Sequence, residues 1–434
     1  MSEPIYDATD VFVSGTYPEL TFNERLDTDL KKKVVGYLRK GAGKCLLIHG
    51  SSKTGKTVLV ERWLSPESAI WIKGDEIHSI ADLYQRIVDE LDLFTEVSAG
   101  DASRDRIAAG TGVEGGIPGL RFKLNADGGT EFESSTSRSR KSLGVSVVKT
   151  ALRQKPVPIV IDDFHFMDGP LRLDVAKAVK DLVRITRVVL IAIPHSTFEP
   201  LRKLPDMDWR VETLGVTRWE PDELSQIAQV GFGLLGIVDH NDEISSRLAT
   251  ESRGAPAIMQ TLCLEYATEI AGVWQTADPA RDAQAPQSWI AFLRAVAQGK
   301  KPIAFDAFVE GKEVRGTNRN KRVLKTGEVT DIYGAVLYTL SKMSAFGSLT
   351  KTDVADRMQE LVEDAPSTQT ISGNLTNLAD IAEKVRGHAD PALTYQDPNL
   401  QVLDPFLSFF LAHGDWDLPE PRVKRLEAAL QDEE

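Results

Sequence analysis

The sequence predicts an α/β fold built on a parallel sheet, and two stretches carry this prediction. In the first, a short apolar run leads into a full match to the pattern GxxxxGK[ST], formed by Gly50, Ser51, Ser52, Lys53, Thr54, Gly55, Lys56 and Thr57. In the second, an apolar run over 157–161 ends at two carboxylates, Asp162 and Asp163. Such runs are typical of buried parallel strands, whose carboxyl ends carry the ligand sites of α/β sheets. Three more apolar runs, at 69–73, 188–193 and 209–214, supply the remaining predicted strands.

The glycine-rich segment has the composition of a loop that holds phosphate groups. Gly50 and Gly55 allow backbone turns where a Cβ would clash, and the helix that starts near Val58 adds the positive end of its dipole. Lys56 is expected to reach the β and γ phosphates, and the Thr57 hydroxyl to bind Mg²⁺. The predicted cofactors are therefore ATP and Mg²⁺. The alternative is a chance turn, which the flanking strand and helix disfavour.

The two aspartates complete this hypothesis. Asp162 is expected to hold Mg²⁺ directly or through water, and Asp163 to orient and polarise the attacking water as the base. An apolar strand followed by two aspartates is common by itself. Its combination with a phosphate-binding loop about 100 residues upstream is what predicts an NTP-hydrolysing site.

Composition limits the class of protein. A chain of 434 residues suggests about three domains, and 42% hydrophobic with 26% charged residues is ordinary for a globular protein. The net charge of −13 argues against extensive nucleic-acid coating. No apolar run reaches the roughly 18 residues of a membrane span, and the start of the chain lacks a secretory pattern. Two cysteines are too few for a disulfide framework, so we expect a cytoplasmic protein without membrane contact.

The domains are predicted in chain order. The first segment contains a loop followed by a helix; these either close over an adenine base or form an ordinary packing helix of the fold. The sheet core contains a Gly- and Ser-rich insertion, in which residues 120–133 are compatible with a β-hairpin. The predicted boundaries are 1–40 for the N-terminal segment, 41–220 for the core with its insertion at about 99–150, 221–275 for a helical lid, 276–330 for a linker and basic segment, 331–418 for a winged-helix-like domain and 419–434 for an acidic tail.

Taken together, the motifs resemble one family. The acidic strand with its Asp-Asp-Phe-His ending, an arginine at the last strand and the segment Gly254-Ala255-Pro256 are similar to the STAND branch of AAA-related P-loop NTPases over residues 20–270. The end of the winged-helix region resembles that of prokaryotic ATPases of the same branch. The resemblance implies that Pro256 packs near the nucleotide and that Arg210 contacts the γ phosphate, across a subunit boundary or a closed lid. The alternative for Arg210 is a surface ion pair with a neighbour such as Asp208 or Glu212. In P-loop folds of this kind, His195 or Ser196 would sense that phosphate.

Charge distinguishes two interpretations of the C-terminal half. Residues 300–325 carry eight basic side chains against three acidic ones, which makes nucleic-acid contact conceivable. The winged-helix region, residues 331–417, instead has five basic and thirteen acidic residues, which favours protein contact or self-regulation. A solvated surface is the alternative for the basic segment.

The sequence thus predicts an ATP-driven switch that controls self-association or binding of a protein partner, with ATP and ADP as ligands. The resemblance to this family, and no residue pattern, suggests a role in bacterial defence. The alternative function is a DNA-binding AAA+ ATPase that loads on or remodels nucleic acid. A scaffold that binds nucleotide without turnover is disfavoured, because the phosphate loop and both aspartates are present.

Overall fold

The computed structural model describes residues 4–25, 28–40, 43–91, 136–193, 204, 207, 209–312, 319–343, 348–387 and 391–419. The chain forms two compact units. We name residues 27–50 and 56–217 the sheet unit, and residues 1–26, 51–55 and 218–434 the lid unit. The hairpin predicted at 120–133, most of the insertion, His195, Ser196 and the acidic tail lie outside the described residues.

The sheet unit contains five parallel strands in the order β2-β3-β4-β1-β5. The strands are β1 (Cys45–His49), β2 (Ile70–Lys73), β3 (Ile159–Asp162), β4 (Val188–Ala192) and β5 (Val211–Gly215). The helices of the sheet unit are α2 (Thr28–Arg39), α3 (Lys56–Glu61), α4 (Ile80–Glu90), α5 (Thr136–Gln154) and α6 (Gly169–Leu182). The predicted α/β fold with a parallel sheet is confirmed.

Burial explains why the central strands form where they do. All residues of β3 and β4 are buried, as expected of strands covered on both faces. Two separate apolar clusters cover these faces, one including α4, α5 and α6 and the other including α2 and α3. The predicted last strand begins two residues later than expected, at Val211, so Trp209 and Arg210 precede it.

The lid unit begins with the short helix α1 (Ala8–Val11), which packs on helix α7 (Pro221–Leu235). Residues 221–275, the predicted helical lid, contain α7, α8 (Glu243–Glu251) and α9 (Pro256–Glu265), with a π-helical turn at Tyr266–Ile270. They are followed by β6 (Ile237–Val238) paired with β7 (Arg281–Asp282), by α10 (Trp289–Gln298) and α11 (Ala304–Glu310), and by β8 (Arg322–Val323) paired with β9 (Val329–Thr330).

The C-terminal part has the predicted winged-helix topology. Helix α12 (Ile332–Ser341) precedes a short strand β10 (Ser348–Thr350), and helices α13 (Lys351–Leu361) and α14 (Thr368–Val385) precede the hairpin of β11 (Leu393–Gln396) and β12 (Asn399–Val402). The sheet order is β10-β12-β11, with antiparallel pairs. Helix α15 (Pro405–His413) closes the region. The sequence interpretation missed β10, because three residues are too short to show alternation.

Among the described residues, none of the helices combines the length and the apolar character that a membrane span requires.

Candidate nucleotide site

The parallel sheet brings the phosphate loop and the acidic strand to the same edge. Strand β1 runs parallel to β4, and β4 runs parallel to β3. Their carboxyl ends therefore lie together, with the loop following His49 and the two aspartates at the end of β3. This is the edge at which α/β sheets bind ligands.

The carboxyl end of the loop is joined directly to the acidic strand. Thr57 Oγ1 donates a hydrogen bond of 2.9 Å to Asp162 Oδ2. The Lys56 side chain, in a residue only 8% exposed, donates to the carbonyl oxygen of Gly50 at 3.0 Å. Lys56 is also the first residue of α3, and Val58 is the third. The sequence predicted these residues to act together, and the fold places them together.

Asp162 has the environment of a cation ligand. The residue is 8% exposed, and burial raises the pKa of its carboxyl, while the Thr57 hydroxyl, the Asp163 N–H and Lys56 oppose that shift. A buried carboxylate is costly unless a cation or hydrogen bonds compensate its charge. Hydroxyl and carboxylate oxygens are the hard ligands that Mg²⁺ prefers. The residues at this position therefore fit a magnesium ion held by Thr57 and Asp162.

Asp163 stands in an unusual backbone conformation. Its φ and ψ are 51° and 39°, in the left-handed region, which costs a non-glycine residue roughly 1–2 kcal/mol. Its N–H donates to Asp162 Oδ1 at 2.9 Å, and its carbonyl oxygen accepts from the Phe166 N–H at 2.9 Å. Strain of this kind concentrates at functional sites, where the surrounding structure imposes it.

His49 is a residue of this edge that the sequence interpretation missed. Its ring lies against Gly215 of β5, where a Cβ would be 3.3 Å from the ring, and it pairs across β1 and β5 with that glycine. Burial and then the charge of Lys56 lower the pKa of His49. The depressed pKa favours a neutral imidazole beside the phosphate loop at pH 7. The only sequence feature that could have indicated His49 is its position between the first predicted strand and the phosphate loop.

The middle of the loop, Ser51–Gly55, belongs to the lid unit and has its own partners there. The indole N–H of Trp219 donates to the carbonyl oxygen of Thr54 at 3.0 Å, and the Thr54 hydroxyl donates to the Ser51 carbonyl oxygen at 2.9 Å. Gly55 has a φ of 85°, and a Cβ there would lie 4.0 Å from Pro256. Pro256 thus packs beside the loop, and its predicted place near the nucleotide stays a prediction.

Trp219 is itself fixed from the other side. The Arg25 guanidinium lies 4.9 Å from the centre of the Trp219 ring, a cation–π distance. Arg25 also forms a buried ion pair of 2.9 Å with Glu223, in which both side chains are 6% exposed. The N-terminal segment that contains Arg25 therefore packs against α7 and supports Trp219, which contacts the phosphate loop.

Lys53, also in the middle of the loop, contacts the winged-helix region. Its Nζ lies 2.9 Å from Asp404 Oδ1 and 4.4 Å from the centre of the Phe406 ring. Asp404 at the same time caps α15 by accepting from the Phe406 N–H at 3.0 Å. Two more contacts join α15 to the lid: Arg253 donates to Ser408 Oγ at 3.4 Å, and His413 Nε2 lies 3.1 Å from Glu251 Oε2.

Arg210 lies at the other end of the sheet. Cys45 pairs with Val211 and His49 with Gly215, and the N–H of Cys45 donates to the Arg210 carbonyl oxygen at 2.6 Å. Five strand residues of about 3.3 Å each separate this position from the loop edge. The position disagrees with a γ-phosphate contact inside one chain, so only a contact in trans stays a prediction. The alternative role of Arg210 is a surface ion pair with Asp208 or Glu212. Glu212 instead pairs with Lys44 at 2.7 Å, and Asp208 lies outside the described residues.

Several solved structures are similar to this chain. Cdc6p from Pyrobaculum aerophilum is 13% identical with a TM-score of 0.40, over 93% of this chain and 97% of that chain. The ADP form of the Aeropyrum pernix ORC2 protein is 10% identical with a TM-score of 0.46, over 92% and 94% of the two chains. A STAND protein with a tetratricopeptide repeat sensor from Pyrococcus horikoshii is 10% identical with a TM-score of 0.34, over 90% of this chain and 43% of that chain.

The Pyrococcus horikoshii protein is by name a signal transduction ATPase of the STAND class, the branch that the sequence motifs resemble. No protein-family model and no curated protein matches the chain. The fold assignment rests on the strand order and the phosphate-loop geometry described above.

Proposed function

We propose that this chain binds and hydrolyses ATP with Mg²⁺ and acts as a nucleotide-dependent switch that controls self-association or the binding of a protein partner. The observation that carries the proposal is the 2.9 Å hydrogen bond between Thr57 and Asp162. It joins the last residue of the phosphate-binding pattern to the tip of the acidic strand, where a P-loop enzyme needs its two metal ligands.

Each residue of the site has a distinct role in this proposal. Thr57 and Asp162 would hold Mg²⁺, which when bound neutralises charge on the β and γ phosphate oxygens. Lys56 leaves the carbonyl oxygen of Gly50 and binds those phosphates as a point charge. Asp163 accepts a hydrogen bond from the attacking water and orients it. The backbone N–H groups from Ser51 to Val58 surround the phosphates.

Two assigned residues extend the site beyond these elements. Arg210 would contact the γ phosphate of a second copy of the chain, which suits its place at the opposite end of the sheet. His195 keeps its predicted role as a γ-phosphate sensor; it lies outside the described residues.

The contacts of Lys53 support the switch. A side chain of the phosphate loop is tied to Asp404 and Phe406, which begin the last helix of the winged-helix region. Nucleotide phosphates carry negative charge and compete with Asp404 for this lysine. Binding of ATP would thereby loosen α15, and hydrolysis followed by release would restore the contact.

The test of the enzyme activity is a titration of ATP turnover with Mg²⁺. The wild-type chain is expected to release phosphate only when Mg²⁺ is present, and Asp162→Asn to need a much higher concentration of Mg²⁺. Asp168→Asn is the matched control, because that carboxylate is exposed and makes no capping hydrogen bond at the start of α6. Metal-independent turnover, or equal Mg²⁺ dependence of the two variants, would contradict the site.

The switch is tested by measuring mass in solution with ATP, with ADP and without nucleotide. A change of mass with ATP and without DNA supports self-association as the output. An unchanged mass in all three states limits the output to a protein partner.

The proposal also includes a cytoplasmic location for the chain.

DNA binding is the second candidate function, because residues 300–325 are basic and one neighbour was solved in complex with DNA. Within the described part of this segment, however, four cations have acidic partners: Lys301 with Asp306, Lys312 with Asp380, Arg319 with Asp331 and Arg322 with Asp364. The Arg319–Asp331 pair is buried, with side chains 5% and 0% exposed, so the Arg319 guanidinium is withdrawn from contact with a nucleic acid. DNA-stimulated turnover with binding that falls steeply as salt rises would favour this second function.

A further inference from the structure

Gly74 lies directly against the backbone of Asp163, at the end of the neighbouring strand. In the pairing of β2 with β3, Lys73 faces Asp162, so the next residues on the two strands are Gly74 and Asp163. A Cβ added to Gly74 would lie 2.2 Å from the carbonyl oxygen of Asp163 and 2.8 Å from its carbonyl carbon. Both values are far below van der Waals contact, so any other residue would displace this backbone.

The need for glycine here is one of space. Gly74 begins a 3₁₀ turn over Gly74–Glu76 and is absent from the positions of positive φ. Its backbone conformation is therefore open to any L-residue, and only the missing side chain distinguishes it. The atoms it would strike belong to the backbone, which cannot rotate away as the end of a side chain can.

We propose that Gly74 is a positioning residue for hydrolysis: its bare Cα lets the Asp163 peptide seat in the left-handed conformation that directs the second carboxylate of the site. The inference rests on the proposed function, in which Asp163 orients the attacking water. Gly74 has no side chain that could take part in the chemistry, so its role is exerted through Asp163.

Two hydrogen bonds of the site do not pass through Asp163, whose own link to Asp162 is the N–H bond to Oδ1 at 2.9 Å. Asp162 is tied to Thr57 at 2.9 Å, and Lys56 to Gly50 at 3.0 Å, and neither bond involves Asp163 or Gly74. A methyl group at 74 has to push the Asp163 carbonyl away by about 1 Å, and a misplacement of that size can cost roughly 100-fold in rate. ATP binding, in contrast, depends on the loop.

The experiment compares Gly74→Ala with Gly36→Ala. Gly36 also lies in the sheet unit, has no heavy atom within 4 Å of an added Cβ and is not at positive φ. We expect Gly74→Ala to lower kcat for ATP by roughly 10- to 100-fold with KM and the melting temperature little changed, and Gly36→Ala to keep the wild-type kcat. A normal kcat in Gly74→Ala would overturn the inference while leaving the ATPase assignment intact.

A double variant separates positioning from a general structural role. In an Asp163→Asn background the carboxylate that Gly74 positions is already lost, so adding Gly74→Ala should lower kcat little further. Multiplication of the two losses would overturn the inference, because Gly74 would then act independently of Asp163. Loss of ATP binding or of the folded state in Gly74→Ala would also overturn it, by making the role structural. Absence of turnover in the wild-type chain would instead show that the proposed function itself fails.

Discussion

The phosphate loop has two halves with different partners, and two lysines three residues apart show the difference. Lys56 is turned inward and donates to Gly50 inside the sheet unit. Lys53, with its side chain 40% exposed, pairs with Asp404 inside the lid unit. The pattern GxxxxGK[ST] requires a lysine at position 56 and allows any residue at position 53. A loop whose chemistry is set by one half can therefore use the other half for regulation.

The burial of the charges follows the same division. The partners of Lys56 and Thr57 are backbone or carboxylate groups at the edge of the sheet, and Asp162 is 8% exposed. The Lys53–Asp404 pair is partly exposed, and such pairs contribute only about 0–1 kcal/mol. The contact with Asp404 is weak enough for a phosphate to replace it. The four predictions that follow test whether the two halves separate in this way.

The largest loss is expected from Arg210→Ala, at the opposite edge of the sheet unit. A planar guanidinium that reaches a γ phosphate in trans stabilises charge in the transition state, and its loss should lower turnover by about 10³-fold while an isolated chain still binds ATP. Mixing Arg210→Ala with Lys56→Ala should recover part of the activity, since one interface then joins an intact loop to an intact arginine. Full turnover of Arg210→Ala alone would refute the role.

Asp163→Asn should lower turnover by about 10²-fold or more, because the group that polarises water is lost while Thr57 and Asp162 stay in place. ATP affinity is expected to stay near that of the wild type. Rapid-quench measurement of phosphate release, together with equilibrium binding of ATP, separates the two quantities. A wild-type rate would place the base elsewhere.

Asp404→Asn tests the other half of the loop. The substitution removes the charge opposite Lys53 but keeps an N-cap for α15, because asparagine caps helices as well as aspartate does. ATP affinity should rise a few-fold, in line with the small contribution of an exposed pair. Asp415→Asn is the control, since that carboxylate faces Arg294 at 3.8 Å. Equal affinities of both variants and the wild type would mean that α15 does not restrain the loop.

The smallest effect concerns pH and His49. Its pKa is lowered in the folded protein, first by burial and then by Lys56. The unfolded chain therefore binds the proton more readily, and stability should fall as pH drops below about 6.5. Thermal unfolding between about pH 8 and pH 5 should show a smaller loss in His49→Gln. Lys56→Ala should also reduce this loss, whereas Lys53→Ala should leave it unchanged.

Local patterns were sufficient for the chemical half of the site. Each of the two motifs, the phosphate loop and the apolar run that ends in Asp162 and Asp163, is a continuous stretch of sequence. The fold needed only to bring β1 and β3 into one sheet. The alternation of strands and helices predicts that arrangement. The winged-helix topology was also predictable, apart from the three-residue strand β10.

The partners of the other half of the loop, which contains Lys53, could not be predicted in this way. Lys53 and Asp404 are 351 positions apart, and neither departs from what a loop or a helix cap ordinarily contains. Trp219, 165 positions from Thr54, looked like any residue after a last strand. Contacts of this kind depend on how distant elements pack, which periodicity does not encode.

Gly74 and Arg210 show the same limit inside the sheet unit. The closeness of Gly74 to Asp163 depends on the register of β2 against β3, which composition does not specify. Arg210 was placed inside a strand, whereas the strand begins one residue after it. Both the predicted and the observed position lie at the amino end of β5, away from the phosphate loop.

The most direct test of the division is a side-by-side measurement of ATP binding and turnover in Lys56→Ala and Lys53→Ala. Lys56→Ala is expected to bind ATP weakly and to have no turnover above background, because the main positive charge on the β and γ phosphates is lost. Lys53→Ala is expected to keep turnover within a few-fold of the wild-type rate. Near-normal turnover in a folded Lys56→Ala protein, or equal inactivity of Lys53→Ala, would contradict the account.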